Sequence, residues 1–266
     1  MRGEIYVSGR LISLIAILVL GAGIVSAQQV LPGFPHGVFS SQNARDPAST
    51  PVFTPASISG LQLWFDASNA ASITQVAGAV SQWNDLSGNA NNAVQATGAN
   101  QPAVETAAQN GLNTLGFLST AYMTLTTPIN VDAAYTVVAV VHQTSQIDIL
   151  GQSTLATVFL MEIDATTAYS ANSSGYDAAT ISTTGYNVFI GTMTGSTGSI
   201  YLNGSDTSAA FSAYALSPVT ALDRIGYGNS INSDGYIAEF EVYDAVLTSG
   251  QIAQLQAYEK AKWATP

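Results

Sequence analysis

From Ile58 onward apolar residues recur at every second position or in short unbroken runs, and Gly, Asn, Asp and Ser punctuate them. Leu61, Leu63 and Phe65 alternate with Gln62 and Trp64, and Val80 and Trp83 flank a second short strand. Tyr135 to His142 (YTVVAVVH) is β-branched and apolar on both faces, the pattern of a central strand covered on each side. Further strands are predicted at 157–164, 186–193, 199–202, 224–227 and 236–243. Turn signals separate them: Ser87-Gly88-Asn89, Asn110-Gly111, Ser174-Gly175, Asn203-Gly204 and Asp234-Gly235. Asn203-Gly204 is the clearest hairpin, since both residues tolerate positive φ. Many short strands with such punctuation predict an all-β, two-sheet antiparallel jelly-roll sandwich.

One helix interrupts the β pattern. Thr248 is placed to cap it, with Gln251 as its capping-box partner. Ile252, Leu255 and Tyr258 fall on one face, Lys260 and Lys262 occupy the last turn, and Trp263 closes the sandwich edge.

The chain divides into three segments: 1–27, 28–56 and 57–266. Residues 11–20 read LISLIAILVL behind Arg2 and Arg10, and Val25-Ser26-Ala27 offers a cleavage site. Three readings stay open for this segment: a signal peptide, a membrane anchor, or a docking arm. In the last, Leu11, Ile12, Leu14 and Ile15, with Phe34 and Phe39, seat the chain against other virion or cell-surface proteins. Residues 28–56 carry five of the nine prolines and read as an extended tether. Their three Phe imply that the tether packs on something.

Composition narrows the function classes. There is no Cys, which excludes disulfides, thiolate metal sites and thiol nucleophiles. Net charge is −11 with only six Lys+Arg, so nothing neutralises a phosphate backbone and nucleic acid is excluded as a partner. Beyond residue 27 the only cations are Arg45, Arg224, Lys260 and Lys262. The surface is therefore coated with amides and hydroxyls, as in extracellular β-proteins and shells.

Four segments resemble the laminin G-like, concanavalin A-like jelly rolls of bacteria and bacteriophages. They are 60–67 (GLQLWFDA), 83–93 (WNDLSGNANNA), 199–204 (SIYLNG) and 235–243 (GYIAEFEVY) with the helix that follows. The tether more loosely resembles the leader of phage structural proteins. The resemblance implies a fold that hosts lectins, glycosidases and structural modules alike.

Candidate chemistry is sparse. Glycosidases of this fold place two carboxylates on one strand. Here Glu162 and Asp164 supply half of that motif, and Thr166 and Thr167 stand where the acid/base Glu is required. Glu239 and Glu241 form a second pair, sharing a strand face at about 6.6–6.8 Å of rise. His36 and His142 have neither metal spacing nor a nucleophile elbow. Asp66, Asn84, Asp85 and Asn89 offer oxygens for calcium, but Asn and Asp form turns without any ion. Apart from that, no cofactor is expected. Tyr169, Tyr176, Asp177, Tyr186, Tyr227 and Asn229 are candidate glycan contacts. Trp64 and Trp83 read as core.

The expectation is a non-enzymatic virion structural protein, a head or tail decoration or fibre component displaying a lectin-like jelly roll, oligomeric or not. The alternative is a secreted or cell-anchored carbohydrate-binding protein. A concanavalin A-like glycoside hydrolase comes third.

Overall fold

The computed structural model describes residues 52–131, 134–153, 160–164, 167–172, 175–180, 184–194, 197–207, 219–228 and 231–266. They belong to a compact unit, Pro51–Pro266. The proposed arm residues Leu11, Ile12, Leu14, Ile15, Phe34 and Phe39 lie outside the described residues.

The first half of the unit runs β1 (Leu61–Asp66), β2 (Ile73–Val76), β3 (Ala79–Trp83), β4 (Ala93–Val94), β5 (Ala103–Gln109), β6 (Leu112–Phe117), β7 (Met123–Val131) and β8 (Ala134–Gln143). Then come β9 (Gln146–Asp148), β10 (Met161–Asp164), β11 (Thr167–Asn172), β12 (Gly175–Thr180), β13 (Asn187–Thr194), β14 (Thr197–Leu202) and β15 (Ser205–Asp206). The chain closes with β16 (Val219–Ile225), β17 (Tyr227–Gly228), β18 (Ile231–Asn232), β19 (Gly235–Tyr243) and the helix α1 (Ser249–Trp263). The large sheet runs β15-β14-β13-β8-β19-β6-β5-β3-β4-β7-β16, and a smaller one runs β12-β11-β10-β9. The ladders are antiparallel, as the alternating pattern and tight turns require.

Two apolar layers account for the sequence pattern. Val137, Ala139 and Val141 of β8 enter the core between the sheets, while Val138 and Val140 enter a second layer that also holds Ile252, Leu255 and Trp263 of α1. That is why β8 is apolar on both faces. Phe65, Trp83 and Phe240 meet in the first layer, with ring centroids 5.1 Å apart for Phe65 and Trp83 and also for Phe65 and Phe240. Each such pair adds about 0.5–1.5 kcal/mol beyond burial.

β19 is the strand that positions the acidic residues. Its register against β8 slips between Ile237 and Glu239. After this bulge Phe240 and Val242 point into the inter-sheet core, and Tyr243 falls in the helix layer. Glu239 and Glu241 share the parity of Tyr243, so they too are turned toward α1.

The helix starts as its sequence requires. Thr248 Oγ1 accepts from Gln251 N, and Gln251 Oε1 accepts from Thr248 N. Asn203 and Gly204 adopt φ +49° and +95° and join β14 to β15. The last part of the tether packs on its own domain. Phe53 meets Tyr258 edge-on at 5.9 Å, and Tyr243 Oη donates to the Pro55 carbonyl at 3.1 Å. The strand expected at 157–164 is described only from Met161. The one expected at 224–227 is broken at Gly226 (φ +75°), where a Cβ would collide with the Phe117 ring.

Candidate functional site

Glu239 and Glu241 share a face, as expected, but that face is closed. Glu239 Oε1 accepts from Trp64 Nε1 at 2.7 Å and Tyr258 Oη at 3.2 Å. Its Oε2 accepts from Lys262 Nζ at 2.5 Å and Trp263 Nε1 at 2.7 Å. Glu241 and Glu259 lie beside it, all three fully buried, with carboxylate oxygens within 4.8 Å of one another. A sugar cannot reach this pair, so it is corrected from a catalytic candidate to a clamp between β19 and α1. Trp64 is likewise corrected: its indole serves the clamp, whereas Trp83 is core.

The calcium candidates are engaged by protein hydrogen bonds. Asp85 Oδ1 accepts from the Trp64 and Ser87 amides, and Oδ2 from Ser87 Oγ and the Asn91 amide. Asp66 binds Ser68 and Lys262, Asn84 accepts from Gln82, and Asn89 donates to the carbonyls of Leu61 and Gln62. Turn contacts and the Lys262 pair thus occupy the side-chain oxygens of Asp85, Asp66 and Asn84.

The glycan candidates separate. Tyr186 is buried, with its hydroxyl 2.8 Å from Thr114 Oγ1 and its ring on His142. Burial pushes its pKa up to about 12, so it is corrected to a core residue. His142 stacks between Tyr186 and Tyr236, and burial lowers its pKa. Tyr169 lies on β11 across from Glu162, and Tyr176 and Asp177 lie on β12. Asn229 falls outside the described residues.

Tyr227 belongs to a cluster that the sequence did not reveal. The Arg224 guanidinium lies 4.3 Å from the Tyr122 ring centroid and 5.8 Å from that of Tyr227. The two rings are 6.0 Å apart and tilted by 55°. All three side chains are half-buried. Gln95 locks the surrounding loop: its Nε2 donates to the Tyr122 carbonyl, its Oε1 accepts from Thr97 N, and its carbonyl accepts from Gln101. Hydrogen bonding from Gln95, together with the Arg224 charge, holds the Tyr122 phenol below its ordinary pKa. The available signal was Arg224 itself, a lone cation three residues before a Tyr in a domain almost devoid of positive charge.

Carboxylates stand on the neighbouring strands. Gly226 N donates to the Asp148 carbonyl, and Gly151 bridges Arg224. Asp148 faces Glu162 in register, and Gln146 faces Asp164. Burial, reinforced by Asp164, raises the Glu162 pKa. A separate groove of about 260 Å³ between Thr192, Ser199, Tyr201, Leu247 and Ile252 contains no carboxylate or cation.

No protein-family model and no curated protein matches the chain. Solved structures do. Domain 4 of AbnA, a GH43 extracellular arabinanase from Geobacillus stearothermophilus, bound to arabinotriose, matches with TM-score 0.54 at 13% identity, over 74% of this chain and 98% of that domain. A Trypanosoma rangeli sialidase in complex with sialic acid matches with TM-score 0.51 at 16% identity, over 79% of this chain and 35% of the sialidase. An arabinofuranosidase complexed with arabinofuranosyl-α-1,2-xylobiose matches with TM-score 0.51 at 14% identity, over 70% of this chain and 51% of that one. The chain thus spans about a third of the sialidase and half of the arabinofuranosidase. At these identities the likeness is one of fold.

These matches correct two expectations. A virion structural protein finds no counterpart among them, and sandwiches of this kind occur in glycosidases, so a chain without enzymatic activity is no longer the reading to hold. Among the described residues, no helix is long and apolar enough to cross a membrane.

Proposed function

We propose that the sandwich is the carbohydrate-recognising domain of an extracellular carbohydrate-active protein, laminin G-like in its motifs. The Tyr122–Arg224–Tyr227 stack carries this reading. It combines aromatic faces with a fixed polar group and flanking amides, the chemistry that orients a sugar ring. The arabinotriose-bound domain of the same fold supports it. Affinity electrophoresis in gels containing arabinan, xylan, pectin or sialylated mucin tests it. The full chain is retarded by at least one polymer, and Tyr122→Ala with Tyr227→Ala abolishes the shift while the Tm holds. Unretarded migration in all four refutes it.

A second reading, glycoside hydrolysis, draws on the register pairing of Glu162, 7% exposed, with the fully buried Asp148, and requires the site to open for substrate. Burial raises the Glu162 pKa, the direction that a general acid requires. Release of reducing ends from the same polymers, lost in Glu162→Gln, supports it. No release by the wild-type chain removes it.

A further inference from the structure

Arg224 is unlike the other cations of the domain. Lys262 is paired with both Asp66 and Glu239, and Lys260 Nζ lies 3.4 Å from the Asn203 carbonyl. Neither ion pair among the described residues involves Arg224. The adjacent carboxylate, Asp223, is engaged elsewhere: Oδ1 accepts from Ser153 N at 2.7 Å and Oδ2 from Ser153 Oγ at 2.6 Å. Arg224 Nε is buried and has no acceptor. A half-buried guanidinium with an unpaired Nε costs stability, which its contacts with the Tyr122 phenol and the two Tyr rings offset without supplying a counter-charge.

The two rings flank the guanidinium at 4.3 and 5.8 Å. Its planar fork suits a carboxylate, which accepts two parallel N–H donors. A neutral sugar offers hydroxyls, which any of the surrounding amides could satisfy. The unpaired charge has no use for such a ligand. A carboxylate neutralises it, accepting from the guanidinium's remaining N–H groups.

We infer that Arg224 binds the carboxylate of an acidic sugar, a hexuronate or a sialic acid, while the Tyr122 and Tyr227 rings pack against the sugar ring. This rests on the carbohydrate-recognition reading and adds the ligand class. The net charge of −11 repels polyanions at long range. Affinity therefore comes from the contact at Arg224 rather than from steering.

The test is calorimetric titration of the full chain with four probes: oligogalacturonate, its methyl ester, sialyllactose and arabinotriose. Oligogalacturonate or sialyllactose binds, and which one binds identifies the acid. Methyl esterification weakens oligogalacturonate binding more than tenfold if the hexuronate is the ligand. Arg224→Gln removes binding of the preferred acid, and Arg224→Lys, which keeps charge but loses the fork, retains only part of it. Should Arg224→Gln fail to fold, the ester and neutral comparisons on the wild-type chain decide alone. Arabinotriose bound as tightly as either acid overturns the acidic-sugar assignment and leaves carbohydrate recognition standing. Binding of none of the four overturns the assignment, and with silence in the polymer gels the general reading falls as well.

Discussion

Glu241 and Glu259 give the protein a pH-dependent stability whose sign follows from the structure. Both are fully buried, on β19 and α1 respectively, and all four of their oxygens lack a hydrogen-bond donor. The nearest cation, Lys262, is already shared between Asp66 and Glu239. Two ionised carboxylates there would be buried uncompensated, so the pair holds a proton that the unfolded chain releases. Burial, then the neighbouring carboxylates, raises both pKa values well above the ordinary range. The sign follows. Above the unfolded Glu pKa, about 4.3, the folded state binds more protons than the unfolded one, so stability falls as pH rises toward the raised folded pKa. It is fully present only below the unfolded pKa. Between the unfolded pKa and the raised folded one, each retained proton costs about 1.4 kcal/mol of stability per pH unit. The perturbation is Glu241→Gln with Glu259→Gln, which keeps shape and removes the titration. Urea unfolding from pH 5 to pH 8 gives a wild-type slope steeper than that of the double variant by about one proton. Parallel slopes would refute the reasoning and mean that something other than a proton neutralises the pair.

Two further outcomes follow from the same geometry. Lys262→Met leaves Asp66 and Glu239 facing each other in a buried site and destabilises the domain by about 3–5 kcal/mol, read as a lowered urea midpoint at pH 7. Chelation with EDTA leaves Tm unchanged, because the oxygens of Asp85 and Asp66 are committed to protein donors; a drop restored by calcium would return those residues to a metal site.

The fold was legible because each strand had to bury one face or two, and β8 and α1 wrote that requirement directly into residue order. The Asn203-Gly204 turn and the Thr248 cap were legible for a local reason: their geometry is set by the residues themselves. The sites were not, because their partners are distant in sequence. Glu239 and Glu241 looked like an exposed i,i+2 pair until the bulge before Glu239 and the helix some twenty residues later closed over them. Tyr186 looked like a loop aromatic until Thr114 and His142 enclosed it. Tyr122 carries no local signal. It becomes chemistry only where β16 brings Arg224 against it across a hundred residues of chain.

The scarcity of positive charge turns out to be informative by position. Lys262 neutralises a buried acidic clamp, and its loss would loosen the helix. Lys260 reaches the Asn203 carbonyl, consistent with the helix-terminal role that its place in the last turn suggests. Arg224 has no such structural acid, although Asp223 is adjacent and available in principle. That Asp223 instead binds Ser153 through both oxygens leaves the guanidinium against two aromatic rings with no carboxylate paired to it. In a chain with so few cations, a structural role would have been met more cheaply by a neutral side chain on the Tyr pair. The positive charge is the feature that the proposed acidic sugar accounts for.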